Sequence, residues 1–311
     1  MTRFKNGYVI NPDVFWKPAY RISPFNTSYI RKNKAIVAAG KNHSEIFGSF
    51  FGDHFFPCLN GRTAIQLALS QYNLQEEDEV LILTTSGNTY ISSCVTNEIS
   101  KRCRWSMTRS EKTKLVFVNH EFGFCYQHLG KLKEEGLPIV EDRALSFAST
   151  NANGDVGITG DFIIYSLPKY FPVSFGGVLQ CNDPGKIIQM PIVDKELQHN
   201  FTMLMSHYLQ LAENIKEQRK ENYKYLKGLF MQSGFAPFFH ASDFDVPGVF
   251  TFRTKNVNLN GLKVHMQNNG VESSVFYGEE AFFLPVHQEL STEDMEFLYL
   301  LVTDFIQHGD K

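Results

Sequence analysis

From Cys58 onward the chain alternates short unbroken apolar runs with stretches of helical spacing. Val80-Leu81-Ile82-Leu83, Leu115-Val116-Phe117-Val118, Leu137–Val140, Phe162–Tyr165 and Val178–Leu179 carry little polar alternation. That is the pattern of strands covered on both faces, as in a parallel sheet. Between the runs, Ile65, Leu67, Ala68 and Leu69 predict a helix starting near Gly61, and further helices are predicted over Tyr90 to about Ser100 and about Tyr126 to Glu135. Strand and helix in alternation predict an α/β domain with a largely parallel sheet. Residues 1–57, rich in Pro, Asn, Gly and aromatics, read as an arm packing on the main body or on a partner subunit. The five phenylalanines of Phe47–Phe56 read as packing surface. Residues 58–195 form the expected large domain. Residues 196–311 follow as a long connecting helix (Glu196 to Met231) and a small α+β domain. That domain has a strand at Gly248–Arg253 and helices at Leu259–Asn268 and Thr292 to about Ile306. The run Lys216–Glu221 reads as a solvated helix face.

Composition narrows the class. The 311 residues, 43% hydrophobic and 14% aromatic, suffice for a large folded core. A net charge of −3, with no long basic block, gives no reason to expect nucleic-acid binding. The five cysteines are scattered without a C-x-x-C, the usage of a reducing cytosol. No run reaches membrane-spanning length and Met1–Lys5 opens no signal peptide, so a cytoplasmic protein without membrane contact is expected. There is no G-x-G-x-x-G, no Walker sequence and no H-E-x-x-H, so neither a nucleotide loop nor a metal site is predicted.

The candidate chemistry gathers where the strands end. Two strand-like runs flank a turn that carries Ser166, Lys169 and Gly176-Gly177. Either this is a surface lysine in a Pro- and Gly-rich turn, or the lysine forms a Schiff base with an aldehyde cofactor while Ser166 helps hold a phosphate. Gly61, followed by Arg62 and Thr63, is an ordinary helix start or one that offers free N–H groups and the positive dipole end to an anion. Tyr90, His120 and Asp142 also follow strands or open helices, and ligands collect at the carboxyl ends of such sheets. His120 reads as a loop-fixing residue. The combination suits pyridoxal 5′-phosphate (PLP): an aspartate (Asp142) for the pyridine nitrogen, a lysine (Lys169) for the aldehyde, an aromatic (Tyr90) for the ring, and a helix start (Gly61, Arg62) with Ser166 for the phosphate.

These segments resemble, in order, the DegT/DnrJ/EryC1/StrS family of PLP-dependent aminotransferases, from about Leu59 onward. Asn60-Gly61-Arg62-Thr63-Ala64-Ile65 is similar to its phosphate-binding helix start, and Glu77-Asp78-Glu79-Val80 to its strand entry. Thr89-Tyr90 stands at its ring-stacking aromatic, and Val140-Glu141-Asp142-Arg143-Ala144 resembles its I-E-D-x-A. Tyr165–Lys169 with Gly176-Gly177 resembles its Schiff-base segment, and Arg219-x-x-Asn222-Tyr223 and Phe283–His287 its C-terminal landmarks. The resemblance implies the aspartate-aminotransferase-like fold (fold type I) and a homodimer. It further implies catalytic Lys169 and Asp142, an amino donor such as glutamate, and a nucleotide-linked keto sugar or similar acceptor. The chain departs from the pattern in three places. Leu145 stands where the family has Gln or His, Lys169 follows Ser166 by three positions rather than five, and Phe175 replaces a Glu before the glycine pair. Leu145 and the shortened spacing to Lys169 motivate an alternative: a PLP-binding member without transamination, acting as a regulator or assembly partner.

Overall fold

The computed structural model describes residues 18–187 and 194–308, with the backbone of Arg3–Phe4 and Gly7–Tyr8. The rest of residues 1–17 of the expected arm, residues 188–193 near the end of the expected large domain, and residues 309–311 lie outside the described residues. The strands are β1 (Arg3–Phe4), β2 (Gly7–Tyr8), β3 (Phe55–Cys58), β4 (Glu79–Thr84), β5 (Arg104–Ser106) and β6 (Thr113–Asn119), then β7 (Ile139–Asp142), β8 (Phe162–Ser166), β9 (Gly177–Cys181), β10 (Val249–Arg253), β11 (Ser274–Val275) and β12 (Ala281–Pro285). The helices are α1 (Ser28–Ala39), α2 (Phe47–Phe51), α3 (Gly61–Ser70), α4 (Ser93–Ser100), α5 (Leu129–Glu134), α6 (Lys195–Tyr208), α7 (Ala212–Gln232), α8 (Leu259–Asn268) and α9 (Thr292–His308).

Seven strands form one sheet in the order β3-β9-β8-β7-β6-β4-β5. β4 to β8 run parallel, whereas β9 pairs antiparallel with both β8 and β3. The apolar runs are continuous because both faces are covered. On one face Val80, Ile82, Phe117, Val140 and Ile164 pack under α3 and α4; on the other, Leu81, Val116 and Ile139 meet α5, and Ile163 and Tyr165 meet Phe51 and Phe201. β3 escaped a sequence reading that treated its phenylalanines only as packing surface. Pro57 cannot donate to a ladder, and β3 is accordingly an edge strand. A second sheet, β10-β12-β11, packs with α7, α8 and α9 around a separate aromatic-rich core.

Helix starts follow local capping more closely than apolar spacing does. Asn60 Oδ1 accepts the Thr63 N–H at 3.1 Å, so α3 starts at Gly61 as its sequence predicts. The next helix begins at Ser93 rather than Tyr90. Asn88 Oδ1 takes the Tyr90 N–H at 3.0 Å, and Ser92 is the cap. α5 likewise starts three residues late, because the Tyr126 N–H is held by His120 Nδ1 at 3.0 Å. The single helix expected from Glu196 to Met231 is two, separated by a 3-10 turn at Leu209–Leu211.

Gly177 opens β9 where that strand meets the start of α3. A Cβ there would lie 2.5 Å from the carbonyl carbon and oxygen of Asn60, which are backbone atoms. Gly228, inside α7, has nothing within 4 Å of the equivalent position. Gly177→Ala is therefore expected to destabilise the fold by about 1–3 kcal/mol through overpacking. Gly228→Ala is expected to stabilise it by about 0.5–1 kcal/mol through helix propensity. Denaturant midpoints of the two variants check both signs.

Candidate active site

The sheet register aligns the functional positions along its carboxyl edge. Asn119 pairs with Asp142, Asp142 with Ile164, and Ser166 with Gly177. Alternation along β7 sends Glu141 and Asp142 to opposite faces. Asp142 joins a cavity of about 210 Å³ lined by Asn60, Gly61, Arg62, Ser166 and Lys169 among others. Glu141 goes the other way, into a buried network in which its carboxylate accepts from His120 Nε2 (3.0 Å), Gly157 N–H (2.8 Å) and Gly160 N–H (2.7 Å). His120 Nδ1 accepts from the Tyr126 backbone, so the ring is the neutral tautomer with its proton on Nε2. The hydrogen bonds hold the Glu141 carboxyl below its usual range despite burial, which opposes them.

Asp142 Oδ1 accepts the Ala144 N–H at 2.9 Å. Burial pushes its carboxyl above the usual range, and the Lys169 charge is the main opposing influence. Gly61 faces Ser166 closely: a Cβ at Gly61 would lie 3.1 Å from Ser166 Cβ and 3.4 Å from its hydroxyl. A helix N-terminus free of side chain and a hydroxyl thus look into one space, which suits a phosphate. Exposed Arg62 adds a cation at the rim.

Five of the six expected site residues line this one cavity: Gly61, Arg62, Asp142, Ser166 and Lys169. Tyr90 does not. Its ring sits half-buried among Phe122, Phe276, Tyr277 and Phe283, with centroids 5.6–6.4 Å away, packed against the core of the second sheet. The cavity is also lined by Ser92, Cys94 and Val95, at the start of α4. Those residues were missed because the helix was started too early; the Ser92 cap was the available signal. Leu145 packs against Gly248 and the second core, leaving Ala144 at the cavity. No group of three or more metal-binding side chains occurs among the described residues.

Residues 44–202 match the model of a family described as "Putative PLP-dependent aminotransferase". The chain belongs to this family of PLP-dependent aminotransferases. Its fold is shared with TlmJ, an aminotransferase from Streptoalloteichus hindustanus (TM-score 0.72, 14% identity, covering 95% of this chain and 99% of that one). It is also shared with a DegT DnrJ EryC1 StrS aminotransferase from Brucella abortus (0.68, 15%, 89% and 96%). A third solved structure with this fold is GDP-4-keto-6-deoxy-D-mannose-3-dehydratase from E. coli, with bound hydrated PLP (0.68, 12%, 92% and 100%). No curated protein matches the sequence. The fold and cofactor expected from the motifs are thus those of the aminotransferase: fold type I, with PLP. The cavity fits that cofactor. The glycine-led cradle beside Ser166 suits its phosphate, Asp142 its ring nitrogen and Lys169 its aldehyde.

Just after β6, Glu121 Oε2 accepts the Ser86 N–H at 2.6 Å while Oε1 is buried without a hydrogen-bond partner among the described residues. Burial raises its pKa from 4.5 to about 7. Folding therefore favours the protonated acid. That preference stabilises the fold below pH 4.5 relative to higher pH, and is lost as pH rises to about 7. Glu121→Gln removes the titration. The variant is expected to gain on the wild type by up to about 3 kcal/mol between these limits. Denaturation of both proteins across that range checks it; a constant difference would show that Glu121 does not titrate there.

Proposed function

We propose that this aminotransferase moves an amino group, from glutamate, onto the keto group of a nucleotide-linked sugar or a similar carbonyl, with Lys169 and Asp142 as its catalytic residues. The observation that carries the assignment is the convergence of Lys169, Asp142, Gly61 and Ser166 on one cavity. When bound, PLP supplies an aldehyde for the amino group and a ring that accepts electrons from the reacting carbon. Asp142 keeps a proton on the ring nitrogen, and the Ala144 N–H fixes the carboxylate for that contact. Lys169 would hold the aldehyde of the cofactor, and its freed amine would take and return the proton that moves between the substrate carbon and the aldehyde-derived carbon. The first N–H groups of α3, the Ser166 hydroxyl and the Arg62 charge hold the phosphate. The ordered motifs support the sugar acceptor.

A homodimer is part of this reading. Phe25, Ile30, Val37, Ala38, Phe175 and Leu204 line a groove between α1 and α6 that suits a second copy. Cys58, Cys94, Cys103, Cys125 and Cys181 are all free thiols, which suits the cytoplasm. Among the described residues no helix is long and apolar enough to cross a membrane.

One observation favours a non-catalytic PLP protein instead: Leu145 offers no polar group beside Ala144. Absorbance spectra with added PLP, before and after glutamate, separate the readings. The wild type is expected to show a visible band that bleaches with glutamate. Bleaching with no member of an amino-donor panel would favour the non-catalytic protein. Lys169→Ala is expected to lose the borohydride-reducible adduct while remaining folded, and an adduct retained in that variant would sink the Lys169 assignment. Asp142→Ala is expected to slow turnover by orders of magnitude; near-normal turnover would place another residue at the ring nitrogen.

A further inference from the structure

The turn that carries Lys169 is one short 3-10 helix, Leu167–Lys169, whose carbonyl groups have little helix to pair with. Leu167 O is taken within the turn, by the N–H groups of Tyr170 (2.9 Å) and Phe171 (2.8 Å). The carbonyls after it are taken by side chains from three distant parts of the chain. The Ser23 hydroxyl donates to Pro168 O at 2.6 Å. Arg219 Nη2 donates to Lys169 O at 2.9 Å and Tyr170 O at 3.1 Å. Gln288 Nε2 donates to Tyr170 O at 3.1 Å, and its Oε1 accepts from Arg219 Nε at 2.9 Å.

Arg219 is the unusual member. It is 1% exposed, inside a charged run that reads as a solvated helix face. Its guanidinium lies 4.5 Å from the centre of the Tyr170 ring. Burial lowers its pKa to about 10, opposed only by Tyr170, with no acidic group contributing. A cation buried without an acid is costly, and packing alone is served better by an apolar side chain. What Arg219 alone supplies is a planar fork of donors that reaches two adjacent carbonyls and a glutamine at once.

We infer that Arg219, with Gln288 as its partner, is the positioning residue of the site: it clamps the backbone of Lys169 and Tyr170 to α7 and to the segment after β12, and so fixes where the lysine amine can reach. The inference rests on Lys169 being the cofactor-anchoring lysine. Arg219 touches neither the cavity nor the reacting atoms; it acts through the peptide that bears the lysine.

The test uses the full-length protein with Arg219→Met, Arg219→Lys and Gln288→Ala, read in two ways. In cofactor-free protein, amide hydrogen exchange over residues 167–173 is expected to quicken by about tenfold or more in Arg219→Met, with the rest of the sheet unchanged. On addition of PLP, the borohydride-trapped adduct on Lys169 is expected to form more slowly by about tenfold or more. Arg219→Lys, which keeps charge and one donor direction, should fall between Met and wild type. Gln288→Ala, which removes a neutral partner, should show the same local loosening to a smaller degree and covers the case in which Arg219→Met does not fold. Exchange and adduct formation equal to wild type in the folded variants would overturn the clamp. So would exchange raised evenly over the whole chain, since that marks a general packing role. Local loosening in the variants, with no adduct even in the wild type, would leave the clamp standing and overturn the cofactor role of Lys169.

Discussion

The close approach of two backbones governs the site. β9 enters the sheet at Gly177 directly against Asn60 and Gly61, where a single Cβ would collide with main-chain atoms. Because β9 is antiparallel to β8, the same hairpin returns Ser166 and the lysine turn to the start of α3. Leu167 N–H bonds Gly176 O at 3.0 Å, and Gly176 N–H bonds Leu59 O at 2.8 Å, so turn, glycine pair and helix start form one hydrogen-bonded unit. A helix N-terminus free for an anion and a lysine beside it are therefore consequences of one packing constraint. Two separate alignments are not required.

Buried charge is the second organising cost, and each case is met by hydrogen bonds chosen for a different end. Glu141 is fully satisfied by His120 and two backbone N–H groups, which makes it a rigid prop beneath the neighbouring Asp142. Asp142 itself has one backbone donor and an open side toward the cavity, so burial raises its proton affinity and a cationic partner lowers it. Arg143 anchors the loop after β7 by donating to the carbonyls of Ser146, Phe147 and Ser149. Three consecutive residues, Glu141, Asp142 and Arg143, thus divide into prop, site and loop anchor. Strand alternation and the end of β7 are enough to separate them.

How much of this could be read from the chain depends on whether a contact is local. The strands β4, β6, β7, β8 and β9 were legible because a strand covered on both faces must be apolar throughout, whereas β3, β5, β11 and β12 were not. The cavity was legible where function sits at a strand end or a capped helix start, as at Asp142, Ser166, Lys169 and Gly61. Ser92, Cys94 and Val95 were not, because the side-chain bonds of Asn88 and Ser92 displaced the start of α4. Arg219 was legible as a landmark of the family resemblance, but its burial was not. Its partners lie 50 and 69 residues away, and the charged run around it reads as a solvated helix face.

Tyr90 marks where local chemistry and tertiary packing compete. The loop after β6 places Phe122 at a φ of 56°, a left-handed conformation that costs a non-glycine residue about 1–2 kcal/mol. Its ring is buried against Phe239, Phe276, Phe283 and Tyr90, and burying a phenylalanine returns about 1.5–3 kcal/mol. The balance favours the strained loop, and the result is an aromatic junction joining the carboxyl edge of the large sheet to the second one. Gly123 permits the contact, since a Cβ there would lie 2.3 Å from Val246 O. With Tyr90 committed to that junction, the cavity beside Lys169 is bounded by the start of α4. The aromatic whose sequence position suggested a ring-stacking role here ties the two sheets together.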